Sequence, residues 1–265
     1  MAIRHRVALA AFVAVIALAS CASSPVDGGS AALTGASLTD TRVPAAVPAP
    51  AIDIESPADG ATVSVPFAVN GEANTFEATL TIDAVDESGM TACVRHLTAT
   101  SGSGTPGTWE GVLAFPPEED PLRVMLRAYT FSQVDGSMVD LVQYPITIAP
   151  DRPAIIVTNP RCGDVYEPGG LMLLTGSAAL FEAALTVELR DSSGSALVVV
   201  PVTAEECCVE SPFTAELTIP AGLSSGFYDV VAYSLSAEDG SIENEFPVQI
   251  EVRGQPVPAP PAPTG

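Results

Sequence analysis

An internal duplication constrains this 265-residue chain more than any other feature. One copy begins Ile52-Asp53-Ile54-Glu55-Ser56-Pro57-Ala58-Asp59-Gly60 and the other Ile155-Ile156-Val157-Thr158-Asn159-Pro160-Arg161-Cys162-Gly163. Gly71 falls opposite Gly176, Phe76-Glu77-Ala78 opposite Phe181-Glu182-Ala183, and Gly89 opposite Gly194. Ala128-Tyr129 answers Ala232-Tyr233, and Asp135-Gly136-Ser137 answers Asp239-Gly240-Ser241. The offset stays between 103 and 105, a drift of the size that loop insertions produce. The chain must therefore build one small unit twice.

Within each copy the apolar period is two. Leu80, Ile82 and Ala84 alternate with Thr79, Thr81 and Asp83, and Leu185, Val187 and Leu189 alternate with Thr186, Glu188 and Arg190. That pattern is a strand with one buried face. Asp59-Gly60, Ser88-Gly89, Asp135-Gly136 and their counterparts cut each copy into short runs. No stretch carries a sustained helical stripe. About seven short strands in roughly 100 residues is the rhythm of an immunoglobulin-like sandwich. The expected fold is all-β: two tandem immunoglobulin-like β-sandwiches with disordered Pro/Ala-rich N- and C-terminal tails. The expected layout is a signal peptide at 1–20, a flexible tether at 21–51 and sandwiches at 52–148 and 155–252. A linker at 149–154 joins the sandwiches, and a Pro-rich tail covers 253–265. The linker Ala149-Pro150-Asp151-Arg152-Pro153 holds two of its prolines within five residues, which limits the freedom of the joint.

The N-terminus gives an address. Arg4 and Arg6 precede an uninterrupted apolar run from Val7 to Ala19, followed by Leu18-Ala19-Ser20-Cys21. Thirteen apolar residues are too few for a span that needs about 20 and fit a secretory signal. The small residues ending in a thiol look like the lipobox of bacterial lipoproteins, in which the cysteine is acylated and the peptide is cut before it. Cys21 is therefore the expected lipid attachment, with palmitate among its chains. At about 0.8 kcal/mol per buried methylene, two or three chains anchor stably where one does not. The expected location is the outer, extracytoplasmic face of the cell membrane. The composition, rich in Ala, Gly, Pro and Arg and without lysine, fits a high-GC monoderm bacterium.

Charge narrows the partners. Thirty-two acidic residues face ten arginines, a formal net charge of −22, and loss of the leader's two arginines takes it to −24. Such a chain is repelled by nucleic acid and by anionic headgroups, so no nucleic acid is expected. Beyond the leader the single histidine is His96, expected as an exposed strand residue. Gly-x-Ser-x-Gly, His-Glu-x-x-His, a phosphate-cradling glycine loop and Cys-x-x-Cys do not occur. No catalytic residue, metal ligand or cofactor is assigned, and the chain is read as a non-enzyme. The Asp-Gly turns, Asp86-Glu87 and Glu118-Glu119-Asp120 offer oxygens for calcium, but no EF-hand spacing is encoded, and Asp and Gly are the ordinary residues of tight turns. Phe76 and Phe181 are expected in the cores with Glu77 and Glu182 toward solvent. Trp109, opposite Phe213, is expected as a core aromatic. Tyr129 and Tyr233 are expected to bond backbone near a strand corner.

Cysteine use fits an oxidising compartment. With Cys21 acylated, Cys93, Cys162, Cys207 and Cys208 allow three pairings. Cys162 with Cys207 or Cys208 is favoured because they share a copy. That pairing leaves Cys93 and the other thiol free, joined across the copies, or paired between chains. A vicinal Cys207–Cys208 ring is small and strained.

Taken together, the opening apolar-x-apolar-x-Ser/Asn-Pro-x-x-Gly, Gly-x-Ala, the Phe-Glu ahead of a long strand and Ala-Tyr ahead of Asp-Gly-Ser resemble a known family. It is the immunoglobulin-like domain of bacterial spore germination and sporulation proteins, often found beside GerMN modules in lipoproteins. The resemblance covers 52–148 and 155–252 and is better in the second copy, where Gly226-Phe227-Tyr228 leads into Ala232-Tyr233-Ser234-Leu235-Ser236. It implies a binding or scaffolding module without catalytic residues. The expected function is a lipid-anchored envelope protein whose tandem domains bind another protein or a cell-wall polymer, with a link to sporulation or germination. A solute- or glycan-binding lipoprotein is the alternative, and an extracytoplasmic hydrolase ranks third. The second copy is expected to be the disulfide-supported platform. The first, with Trp109, the 101–107 loop and Glu118-Glu119-Asp120, is expected to present the contact surface.

Overall fold

The computed structural model describes residues 50–254. The first copy contributes β1 (Thr62–Val63), β2 (Phe67–Ala73), β3 (Thr79–Asp86), β4 (Thr91–Thr98), β5 (Gly107–Leu113), β6 (Leu122–Phe131) and β7 (Met138–Ile148). The second contributes β8 (Ile155–Asn159), β9 (Val165–Tyr166), β10 (Leu171–Ala178), β11 (Ala184–Arg190), β12 (Ala196–Thr203), β13 (Ser211–Thr218), β14 (Gly226–Leu235) and β15 (Ile242–Val252). Two single 3-10 turns, at Phe76–Ala78 and Phe181–Ala183, are the remaining regular elements among the described residues.

Each copy is a sandwich of two sheets, as the alternation requires. A five-stranded sheet of order β1-β7-β6-β3-β4 faces β2-β5 in the first, and β12-β11-β14-β15-β9 faces β13-β10-β8 in the second. In the first copy the counterpart of β8 is reduced to isolated bridges, Ile52 to Ala73 and Ser56 to Asn70. Leu80, Ile82 and Ala84 are buried in one core, and Leu185, Val187 and Leu189 in the other. The duplicated glycines lie under duplicated aromatics: Gly71 pairs with Trp109, and Gly176 with Phe213. A Cβ on Gly71 would stand 2.0 Å from the Asp53 carbonyl oxygen, and one on Gly176 2.1 Å from that of Ile156. Both positions are closed to any side chain, and Trp109 is the core aromatic expected, 3% exposed.

The linker is held at both ends. Ser64 Oγ donates to the Asp151 carboxylate at 2.7 Å, and Arg152 forms a two-pronged pair with Glu210, with Nε to Oε2 at 2.8 Å. Among the described residues no helix is long and apolar enough to cross a membrane. Cys21, the residues read as leader, and most of those read as tether and as Pro-rich tail lie outside the described residues.

Candidate functional site: the junction and the two edge strands

The sandwiches meet along β4, the outer strand of the first copy's larger sheet. An edge strand leaves every second N–H and C=O without a ladder partner, and here the second sandwich covers those of His96. The Gln249 side chain on β15 lies alongside His96: its Oε1 accepts the His96 N–H at 2.6 Å, and its Nε2 donates to the His96 carbonyl at 3.0 Å. One amide side chain thus imitates a ladder partner. The His96 ring stacks on Phe227 of β14 with centroids 4.0 Å apart and meets Thr81 Oγ1 at 3.1 Å through Nδ1. Arg95 donates to Asp229 at 2.6 Å, and both side chains are largely buried. Burial holds the His96 imidazole below its ordinary pKa, against the opposing charge of Glu251. His96 is therefore a joint residue, not the exposed strand histidine expected.

A covalent bond closes the same joint. Cys93 of β4 is disulfide-bonded to Cys162, whose Cα is 5.0 Å away. Cys162 occupies the turn after Asn159-Pro160 and packs against both cores. The following Gly163 has φ +81°, and a Cβ there would meet Val94 Cγ1 at 2.7 Å, so glycine lets the turn sit against the Val94 side chain. This corrects the pairing expected from the sequence. Cys162 bonds neither Cys207 nor Cys208, which are both free and exposed. Sharing a copy proved a poor guide, because the turn carrying Cys162 faces the other sandwich rather than its own loops.

Beside the joint lies a cleft of about 790 Å³. Its polar lining includes Arg95, His96, Glu110, Asp191 and Asp229, and its aromatics are Phe131, Phe227 and Tyr228. Of these, Arg95 and Asp229 bond each other, and Phe227 faces His96. Much of its chemistry thus holds the joint together.

The counterpart of β4 in the second sandwich is β12, which pairs with β11 on one side and ends the sheet. Ala196–Thr203 contains no charged residue, and Leu197 and Val199 are 38% and 55% exposed. Pro201 stands where β4 has His96, so the donor that Gln249 reads in the first copy is missing in the second. By the alternation of an antiparallel ladder, the next outward donor is on Val199. The face that caps β4 is not repeated either. Met125 and Pro145, the paired first-copy counterparts of Asp229 and Gln249, can supply neither the carboxylate nor the amide.

The other sequence-marked residues fall elsewhere. Phe76 and Phe181 are 58% and 76% exposed, a correction to the core placement expected. The 3-10 turn swings them out, because Glu77 and Ala78, and likewise Glu182 and Ala183, adopt left-handed backbone. Leu80 and Leu185 fill the cores instead. Tyr129 and Tyr233 donate to carboxylates, Asp83 at 3.0 Å and Glu188 at 2.8 Å, not to backbone. Arg127 grips the buried Asp83 with two nitrogens, at 2.7 and 2.6 Å. Burial and the charge of Asp83 push the Tyr129 hydroxyl up to about 12. Tyr144 and Tyr228 make the tyrosine-to-backbone bonds, to Pro57 and Ser224.

The acidic turns are self-contained. Asp86 accepts from Ser88 and Met90, Asp191 from Ser193 and Ser195, and Asp135 and Asp239 from the serine two residues on. Those bonds hold all four carboxyls below the usual range. Among the described residues no group of three His, Cys, Asp or Glu is placed to hold a metal ion. Glu118, Glu119 and Asp120 are exposed.

Residues 51–137 and 154–241 each match the family described as the immunoglobulin-like domain of bacterial spore germination. The chain belongs to that family. Among solved structures it is similar to the fibronectin(III)-like modules of CbhA from Clostridium thermocellum, at 12% identity and TM-score 0.25, covering 77% of this chain and 94% of that one. It is also similar to the Ig1-2 module of the Drosophila receptor protein tyrosine phosphatase DLAR, at 11% identity and TM-score 0.23, covering 77% and 98%. The polymeric Ig receptor ectodomain of a teleost fish follows at 12% identity and TM-score 0.25, covering 76% and 98%. The curated proteins hold no match to the chain.

Proposed function

We propose that this protein is a non-catalytic, lipid-anchored scaffold of the cell envelope. In this reading its two sandwiches form one stiff unit that holds out the β12 edge for an extended strand of a protein partner. The observation that carries it is the contrast between equivalent edges: β4 is capped by Gln249 and stapled by Cys93–Cys162, while β12 has one ladder partner. Strand addition draws affinity from backbone hydrogen bonds and specificity from alternate side-chain pockets. Pro201 confines such pairing to Ala196–Val200. The run is uncharged, and Glu205 and Glu206 lie beyond its end, which favours an apolar partner strand with a basic flank. Residues 1–20 act as a lipoprotein signal, Cys21 carries the acyl chains on the outer face of the membrane, and 21–51 lifts the sandwiches away from it. The family description supports a part in sporulation or germination.

Two measurements test this. Detergent phase partitioning is expected to send the wild type to the detergent phase and Cys21→Ala to the aqueous one. Equal aqueous recovery removes the anchor. Capture of a protein partner from envelope extracts is expected to fail with Val199→Lys, which sets a charge on the edge, and to survive Val139→Lys on the first sandwich. Undiminished capture by Val199→Lys removes the edge as the contact.

The cleft beside the joint supports a second reading, a glycan-binding site with the half-exposed Phe131, edge-on to Tyr129, as its aromatic. Saturable binding of peptidoglycan fragments, lost in Phe131→Ala, is the result that favours it.

A further inference from the structure

Cys207 and Cys208 share an exposed loop, Glu205–Glu210, between β12 and β13. Neighbouring side chains on extended backbone point to opposite faces. Here Cys208 has φ +66°, which turns its side chain out of that alternation. The loop is a variant of one in the first copy. Ser103, also left-handed at φ +55°, donates its N–H to the Thr75 carbonyl at 2.8 Å, and Cys208 donates to that of Leu180 at the same distance. Ser103 Oγ accepts the Glu77 N–H at 3.1 Å, and Cys208 places a sulfur at the equivalent position of the second copy. A thiol thus replaces a hydroxyl in a preformed seat. The preceding residue changes too: Gly102 lies so close to Thr75 and Ala78 that a Cβ would stand 2.6 Å from the Thr75 oxygen, whereas Cys207 is exposed.

We propose that Cys207-Cys208 is a reversible dithiol–disulfide site, oxidised by exchange with a small or protein-borne disulfide, and that its state is felt by the Phe181 turn. One thiolate attacks the incoming disulfide, forming a mixed disulfide and releasing the first thiolate. The second thiolate then attacks the protein-side sulfur, closing the vicinal ring and releasing the other. The two protons pass to the released thiolates, so two cysteines are oxidised and one disulfide reduced. The neighbouring Cys207 thiol raises that of Cys208, and exchange therefore quickens as pH rises. Closing the ring moves Cys208, whose N–H holds the Leu180 carbonyl at the head of the turn bearing the exposed Phe181.

The test uses the full chain carrying Cys21→Ser, treated with excess oxidised glutathione. The expected product is a monomer lighter by two hydrogens, with both thiols closed to iodoacetamide and the link placed at 207–208 by tandem mass spectrometry. Mild reductant reopens it while Cys93–Cys162 stays closed. Cys208→Ser, which restores the first copy's residue at that position, and Cys207→Ser are each expected to stop at a stable glutathione adduct. Stable adducts on the unsubstituted pair, disulfide-linked dimers, or thiols that stay fully alkylated overturn the proposal. Hydrogen exchange at Cys208 is expected to be faster in the oxidised form. Equal exchange in the two forms overturns the link to the Phe181 turn.

Discussion

Strands β4 and β12 are the same strand of one repeated unit, 105 residues apart, and they have met opposite fates. On β4 the chain places Cys93, Arg95 and His96, each with a counterpart on the second sandwich. At the matching places β12 carries Val198, Val200 and Pro201. A duplicated fold produces two identical liabilities, since every open sheet has an edge. The first edge has become an internal joint, while the second keeps its outward backbone groups apart from the donor that Pro201 removes. The difference lies in three or four side chains and not in the fold.

The strongest way to break this comparison is to remove the staple. Cys93 and Cys162 lie 69 positions apart, for which loop-closure entropy gives about 4 kcal/mol. The double variant Cys93→Ser/Cys162→Ser is expected to unfold at a markedly lower urea midpoint. An unchanged midpoint means that the noncovalent joint suffices alone. Next comes Gln249→Leu, which keeps the volume but leaves the His96 N–H and C=O without partners, at a cost of about 1–3 kcal/mol. Small-angle scattering on this variant in the staple-free background is expected to report a loosened pair of sandwiches. An unchanged profile shows that Gln249 does not hold the edge.

A third test concerns pH. Because burial depresses the His96 pKa, the unfolded chain takes up a proton that the folded joint refuses. Stability from this source is full above about pH 6.5, the unperturbed value, and falls as pH drops toward the folded pKa. The melting temperature of the wild type is expected to fall relative to His96→Phe between pH 7 and pH 5. Parallel curves would assign the acid sensitivity elsewhere. The smallest effect belongs to the bare edge. Val199→Lys is expected to change stability by no more than about 0.5 kcal/mol, since the residue is 55% exposed. A large loss would mean that β12 is covered after all.

Much of this fold is written in local patterns. The alternation at Leu80-Ile82-Ala84 and Leu185-Val187-Leu189 named the inward faces, because a period of two can be satisfied in only one way on a half-buried strand. The repeat matched Gly71 with Gly176 and Trp109 with Phe213, but the pairing of each glycine with its aromatic emerges only in the sheets. Phe76 and Phe181 were misread because the same alternation was extended upstream through residues that form a 3-10 turn, and nothing in Phe-Glu-Ala announces left-handed backbone at two non-glycine positions. The joint was the least legible part. Its contacts connect residues far apart in sequence, 69 positions for Cys93–Cys162 and 153 for His96–Gln249, and spacing carries no trace of such proximity. One signal was available, namely that the first copy has a single cysteine and so could find a partner only outside itself.

The Cys93–Cys162 bond also decides how tension runs through the molecule. Pulled from residue 50 and residue 254, load passes along the chain to Cys93, crosses the two sulfurs, and continues from Cys162. Everything between them, including β5, β6, β7 and the linker, hangs outside the line of force. At about 3.3–3.6 Å per extended residue, roughly 230–250 Å of chain can never be paid out while the bond is intact. A protein held at one end to a membrane and at the other to a partner would stretch only by unravelling β1 to β4 or the second sandwich. The linker, the segment a tandem protein ordinarily exposes to strain, is spared it.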